Sequence, residues 1–214
     1  ATASTELKNK ALENMAQELT AASREILQAN AEDMKNAREN GVAQVMLDRL
    51  LLTEDRIVGM AKGITDIVKL PDPIGVTLSE IKRPNGMTVK KITVPLGVIA
   101  VIYEARPNVT SDAAALCLKS GNAVILRGGK EAINSSKAIV KALRLGLEKT
   151  GLDENCISLV TDTSRDSATE LMRMNEYIDV LIPRGGAGLI RSCIENSTVP
   201  VIETGTGNCH IYID

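Results

Sequence analysis

Leu96-Gly-Val-Ile-Ala-Val-Ile102 runs directly into Tyr103-Glu-Ala-Arg-Pro-Asn108, and this junction decides the fold. A near-continuous apolar run reads as a strand buried on both faces, as parallel sheets require. Charged groups and an Asn placed straight after it are costly in a core, so they mark a strand end that faces a ligand. The same texture recurs downstream. Residues 123–126, 157–160, 178–182 and 199–203 read as strands, with 209–213 as one more. Residues 109–119, 136–149, 167–174 and 189–195 read as the helices between them, and Gly151 closes the second. Such alternation predicts an α/β fold: a Rossmann-like open parallel sheet with right-handed crossovers and helices on both faces. Ligands of such sheets bind outside the carboxyl ends of the strands, so the residues following each strand carry the functional reading.

Asn108 reads either as the N-cap of the next helix or as a ligand-facing amide, and Arg106 either as a ligand contact or as a surface partner of Glu104. After residues 123–126 comes Arg127-Gly128-Gly129-Lys130, two glycines between two cations. That composition suits an anion, because the backbone can approach closely and helix N–H groups point outward. A flexible turn with solvated cations is the plain alternative. A Walker loop is excluded, since Val124 and Glu131 stand where its Gly and its Ser or Thr belong. After residues 178–182 comes a second such turn, Pro183-Arg184-Gly185-Gly186-Ala187-Gly188. It is not G-x-G-x-x-G, because Arg191 holds the place of the last glycine. Two glycine turns on neighbouring strands point more strongly to a dinucleotide than either does alone. Glu203, beside Gly205 and Gly207, is a candidate base. Cys209 and His210 are neighbours on a strand and face opposite ways, which argues against a dyad.

Ahead of the sheet, Leu7, Ala11, Leu12, Met15, Ala16 and Leu19 keep a helical period, leaving Lys8, Lys10 and Glu13 outside. A second helix carries Ile26, Leu27, Ala31, Met34 and Ala37 and stops near Asn40-Gly41. A third opens at Thr53-Glu54-Asp55, buries Ile57, Met60, Ala61, Ile64, Ile67 and Val68, and ends at Pro71 and Pro73. Residues 76–82 and 87–94 flank Pro84-Asn85-Gly86 as a hairpin, which is marginal by itself and is expected to be completed by another chain or by missing sequence. The expected organisation is 1–72 helical, 73–94 an oligomerisation arm, and 95–214 the cofactor-binding α/β domain.

The 214 residues carry 25 basic and 27 acidic side chains, so no charge excess marks a nucleic-acid or membrane-surface binder. With no Trp or Phe and three Tyr, base stacking lacks its platforms; a single His excludes a site of several imidazoles. Four cysteines without C-x-x-C spacing exclude a zinc ribbon or thioredoxin-like motif, and no metal site is expected. There is no span-length apolar run and no signal-peptide pattern, so a reducing cytoplasmic location is expected. The absence of an initiator Met at Ala1 and the stop at Asp214 make both ends read as cut.

Residues 101–108, 117–130, 181–188 and 209–214 together resemble the γ-glutamyl phosphate reductase family (glutamate-5-semialdehyde dehydrogenases), a branch of the aldehyde dehydrogenase superfamily. The resemblance runs over essentially the whole chain. It implies NADPH-dependent reduction of L-glutamate 5-phosphate to glutamate 5-semialdehyde with phosphate release, in proline biosynthesis. In the family's scheme a cysteine thiolate expels phosphate to form a thioester, which NADPH then reduces. Carried across, Asn108 is the oxyanion-stabilising amide and Glu203 matches the superfamily's general base, with only a pocket-shaping role as the alternative. Arg127 lies near the adenosine ribose, and Lys130 replaces a ribose-binding glutamate and so favours the 2′-phosphate of NADP. Gly128 and Gly129 complete that turn; Arg184, Gly185, Gly186 and Gly188 form the turn over the pyrophosphate. Arg106 is read as the ligand of the substrate's phosphate or carboxylate, and Glu104 as the group that orients it. None of the four cysteines matches the family nucleophile, which implies a catalytic domain beyond Asp214 and no turnover by this chain alone. A homo-oligomer and association with glutamate 5-kinase are the implied partners. The competing readings are a non-catalytic nucleotide-binding or assembly module, and another aldehyde dehydrogenase-like acyl reductase.

Overall fold

Polar caps and proline stops set the first helices. The computed structural model describes residues 2–203 and 205. Ser4 Oγ accepts from Leu7 N at 3.2 Å to start α1 (Thr5–Ala21), which is followed by α2 (Ser23–Glu39). A short α3 (Gln44–Leu50), absent from the sequence reading, precedes α4 (Glu54–Lys69), which Thr53 caps through Arg56 N. Strands β1 (Thr77–Lys82) and β2 (Thr88–Ile92) pair antiparallel as the expected hairpin, and every residue of both is exposed.

The remaining elements alternate as expected: β3 (Val98–Tyr103), α5 (Asn108–Lys119), β4 (Ala123–Arg127), α6 (Ile133–Glu148), β5 (Ile157–Leu159), α7 (Arg165–Leu171), β6 (Val180–Arg184) and α8 (Ala187–Asn196). The four strands form one parallel sheet in the order β5-β4-β3-β6. The strands that carry the two glycine turns, β4 and β6, therefore flank β3 and are not the neighbours expected, because β6 crosses over to the other side of β3. The expected strand over 199–203 contracts to a single parallel bridge, Leu181 to Val201. The candidate strand over 209–213 lies outside the described residues.

Strand alternation divides the core. Ile99, Val101 and Tyr103 join Val124 and Leu126 under α5 and α6, while Ala100 and Ile102 join Leu181 and Cys193 on the opposite face. α1 and α4 then cover α5 and α6 as a further layer. At the α1–α6 crossing, a Cβ on Gly146 would stand 2.6 Å from the backbone of Met15, so only glycine permits this approach.

Two expectations in this layer fail for the same reason. Lys8 is buried rather than outside, because its Nζ meets Asp72 Oδ2 at 2.7 Å. Ala31 is exposed, and the inner face of α2 carries Asn30 and Asp33 instead. Asp33 accepts from Ser135 N at 2.7 Å and Asn134 N at 3.2 Å, so α2 caps the start of α6.

Candidate functional site

β3 and β6 are neighbours at the place where the strand order reverses, the usual position of a ligand crevice. Tyr103 is paired with Arg184 there, so the segments that leave the two strands start side by side. Glu104 Oε1 accepts from Gly186 N, the N-cap of α8, at 2.8 Å. A Cβ on Gly185 would stand 2.7 Å from that oxygen and 2.8 Å from Leu189 Cδ2, so glycine is what admits the carboxylate. The anion at this helix N-terminus is therefore the chain's own, and it is favourable there. This corrects the pairing of Glu104 with Arg106: the carboxylate serves the glycine turn, and the exposed Arg106 has no side-chain partner among the described residues. A cavity of about 230 Å³ unites Arg49, Glu104, Arg106, Arg184, Gly185 and Gly186. A Cβ on Gly188 would meet nothing within 4 Å, so that part of the turn is open.

The first glycine turn is packed more tightly. A Cβ on Gly128 would lie 3.1 Å from the Tyr103 ring, and one on Gly129 3.2 Å from Ala105 N. Arg127 Nη2 donates to the carbonyls of Thr163 and Ser164 at 2.8 and 2.7 Å, which ties β4 to the segment before α7. Its Nε is the one buried side-chain polar atom without a partner among the described residues. Lys130 is exposed and stands with Asp33, Asn36 and Asn134 around a separate cavity of about 220 Å³. A cleft of about 470 Å³ joins Arg127, Gly129 and Glu104 to the apolar side chains of Val42, Met46 and Leu189. Apolar walls, polar strand ends and an unpartnered guanidinium nitrogen suit a nucleotide, so the residues present fit a dinucleotide cofactor.

Asn108 is the first residue of α5, and Pro107 occupies the N-cap position, so Asn108 does not cap this helix. Its Nδ2 donates to Asp112 Oδ2 at 3.2 Å, one turn along. A carboxylate only accepts, which fixes which end of the amide faces it. Burial pushes the Asp112 carboxyl up, and the bond from Asn108 and the charge of Arg184 offset part of that rise. Both residues border the largest of these cavities, about 700 Å³, with Asp48, Arg49, Arg56 and Arg106. Glu203 is exposed and lines none of these cavities. Thr204 and residues 206–210 of its motif lie outside the described residues, Cys209 and His210 included.

The sequence reading missed Arg49, Asp112 and the role of Tyr103. Tyr103 is buried, and its hydroxyl shares a hydrogen bond of 2.8 Å with Thr110 Oγ1, fastening the end of β3 to α5. Asp112 was findable, since i to i+4 spacing puts it beside Asn108 on one helix face. Burial pushes the Cys117 thiol up to about 12 and also raises Cys156 and Cys193, as core cysteines rather than nucleophiles. No helix among the described residues is long and apolar enough to cross a membrane.

Known structures share this architecture. A probable aldehyde dehydrogenase from Listeria monocytogenes superposes with TM-score 0.72 at 18% identity, over 96% of this chain and 42% of its own. That likeness defines the class: an aldehyde dehydrogenase-like α/β fold. The γ-glutamyl phosphate reductase of Thermotoga maritima superposes with TM-score 0.95 at 44% identity, over 98% of this chain and 50% of its own. Among curated proteins, the γ-glutamyl phosphate reductase of Clostridium beijerinckii is 61% identical over 99% of this chain and 51% of its own length. That of Heliobacterium modesticaldum is 59% identical over the same shares. No family model matches the chain. The motif resemblance therefore stands: the chain is a homologue of γ-glutamyl phosphate reductase, spanning about half the length of the curated relatives it matches.

Proposed function

We propose that this chain is the amino-terminal, cofactor-binding portion of an NADPH-dependent γ-glutamyl phosphate reductase, an oxidoreductase acting on L-glutamate 5-phosphate in proline biosynthesis. The observation that carries this reading is the placing of the two glycine turns on either side of the β3 end, where the strand order reverses, in a chain so similar to enzymes of that name. In this reading residues 95–214 hold the cofactor, 1–72 brace them, and the exposed hairpin in 73–94 is an oligomerisation arm. NADPH, when bound, supplies the reducing equivalent. Its 2′-phosphate would rest near Lys130, its adenosine ribose near Arg127, and its pyrophosphate against the open side of the turn from Arg184 to Gly188. The Asn108 amide would donate to the acyl oxygen of the substrate, a role suited to a side chain whose orientation Asp112 fixes. In this reading the nucleophilic cysteine belongs to the half of the relatives that this chain does not span, and the part of the reaction assigned to this chain is cofactor binding.

Calorimetric titration with NADPH and NADH tests the cofactor reading. NADPH should bind about tenfold tighter or better, the worth of one charge-assisted contact to its extra phosphate. Lys130→Glu should reverse or abolish that ratio. Equal affinities in the wild type, or an unchanged ratio in the variant, would remove Lys130 from the site.

A further inference from the structure

The large cavity beside Asn108 is lined by charges of both signs. A subsite for a simple anion needs only cations; here a carboxylate stands among them. Asp112 is half-buried, and only its Oδ2 is engaged, by Asn108. Its Oδ1 has no hydrogen-bond partner among the described residues and is not buried from solvent. Arg184 influences Asp112 electrostatically, but no ion pair forms between them among the described residues. The other carboxylate at the rim, Asp48, is exposed and accepts from Gln44 Nε2 at 3.3 Å.

The three arginines are not equivalent. Arg56 Nη1 donates to the carbonyls of Asp48 and Leu51, which commits it to closing α3. Among the described residues, the one side-chain hydrogen bond of Arg49 goes to the sulfur of Met46, at 3.9 Å, and Arg106 has no side-chain partner. One free carboxylate oxygen and two free guanidinium groups thus border the same space as the Asn108 amide. Asn108 Nδ2 and Asp112 Oδ2 stand 3.2 Å apart on one face of α5, so a short ligand with a polarised carbonyl at one end and an ammonium at the other can reach both residues.

We propose that this cavity is the head-group subsite for an α-amino acid, in which Asp112 receives the ammonium and Arg106 with Arg49 receives the α-carboxylate. The inference deepens the reductase reading and rests on it for the identity of the acyl end. Without Asp112, a dicarboxylate of the same chain length would fit as well as an amino acid. With it, the free ammonium decides.

The test compares L-glutamate, glutarate and N-acetyl-L-glutamate as probes, by NMR titration of the isotope-labelled chain. Glutarate lacks the ammonium, and the acetyl group removes its charge. The wild type should bind L-glutamate about tenfold tighter than either, the worth of one charge-assisted contact. Asp112→Asn, nearly isosteric, should bring that ratio to about one, the contact being lost. Arg106→Gln should weaken L-glutamate and glutarate alike. The proposal is overturned if the wild type does not bind or distinguish the probes, or if the preference survives in Asp112→Asn. The wild-type comparison stands even if the variant fails to fold. A parallel NADPH titration separates the two readings. Failure to bind NADPH with the glutamate preference intact sinks the cofactor assignment alone; NADPH binding without that preference sinks this inference alone.

Discussion

Asp72 lies in the proline-flanked link between α4 and the hairpin, and it clamps that link to α1. Its Oδ2 is 2.7 Å from Lys8 Nζ, and the two side chains are 14% and 4% exposed. Thr5 Oγ1 donates to the same oxygen at 2.6 Å, and Ile74 N donates to Oδ1 at 3.0 Å. Burial alone would raise the Asp72 carboxyl, but the hydrogen bonds from Lys8, Thr5 and Ile74 and the charge of Lys8 outweigh it, holding it at about 2 against an ordinary 3.8. At 1.36 kcal/mol for each factor of ten in acidity, that drop is worth on the order of 2 kcal/mol of folding stability. Because the folded value is depressed, the contribution is complete above the unfolded value and is lost as pH falls from about 4 through about 2. Asp72→Asn removes it at every pH and leaves the Lys8 ammonium buried without its counter-charge, a loss of about 3–5 kcal/mol near neutrality. Urea denaturation followed by circular dichroism, on wild type and variant from neutral pH down to about 2, reads both effects. The gap between the two stabilities should narrow by about 2 kcal/mol as the wild-type carboxylate is protonated. Parallel profiles over that range would show that the clamp contributes nothing through its charge, and the reasoning would fail.

Two further substitutions probe the packing that positions the site. Gly146→Ala should lower stability by about 1–3 kcal/mol, because overpacking at the α1 crossing outweighs the better helix propensity of alanine; a higher melting temperature would contradict the close approach. Asp33→Ala should lose about 2–4 kcal/mol in urea denaturation by leaving the first N–H groups of α6 without an acceptor. Asp33→Asn should lose less, since its carbonyl still accepts, and equal losses would argue against the capping role.

The alternation of strands and helices was legible because a strand buried on both faces must be apolar along its length, as residues 98–103 are. Element ends moved by one to three residues, and α3 escaped notice because seven residues show too little periodicity to separate from a loop. The burial of Lys8 and Asp33 was not legible at all. Lys8 depends on Asp72, 64 residues away, and Asp33 on Ser135, 102 residues away. No local pattern announces such a partner, and a polar residue on an apolar stripe looks like an exception until its partner is found. The strand-end turns were visible through their unusual mixture of glycine and cations. What each glycine is for was not.

Gly185 shows why. A glycine after a strand reads as room for a ligand, yet here the room is filled by the Glu104 side chain, which needs it to reach Gly186 N. The sequence separation is 82 residues, and the contact exists only because β3 and β6 become neighbours at the reversal of strand order. While that bond stands, the Gly186 N–H is not available to another anion. The accessible faces of the same turn are those near Gly188 and around the arginines at positions 49, 106 and 184. The glycine pattern thus pointed to one end of the sheet, but only the pairing of the strands shows which donors there remain free among the described residues.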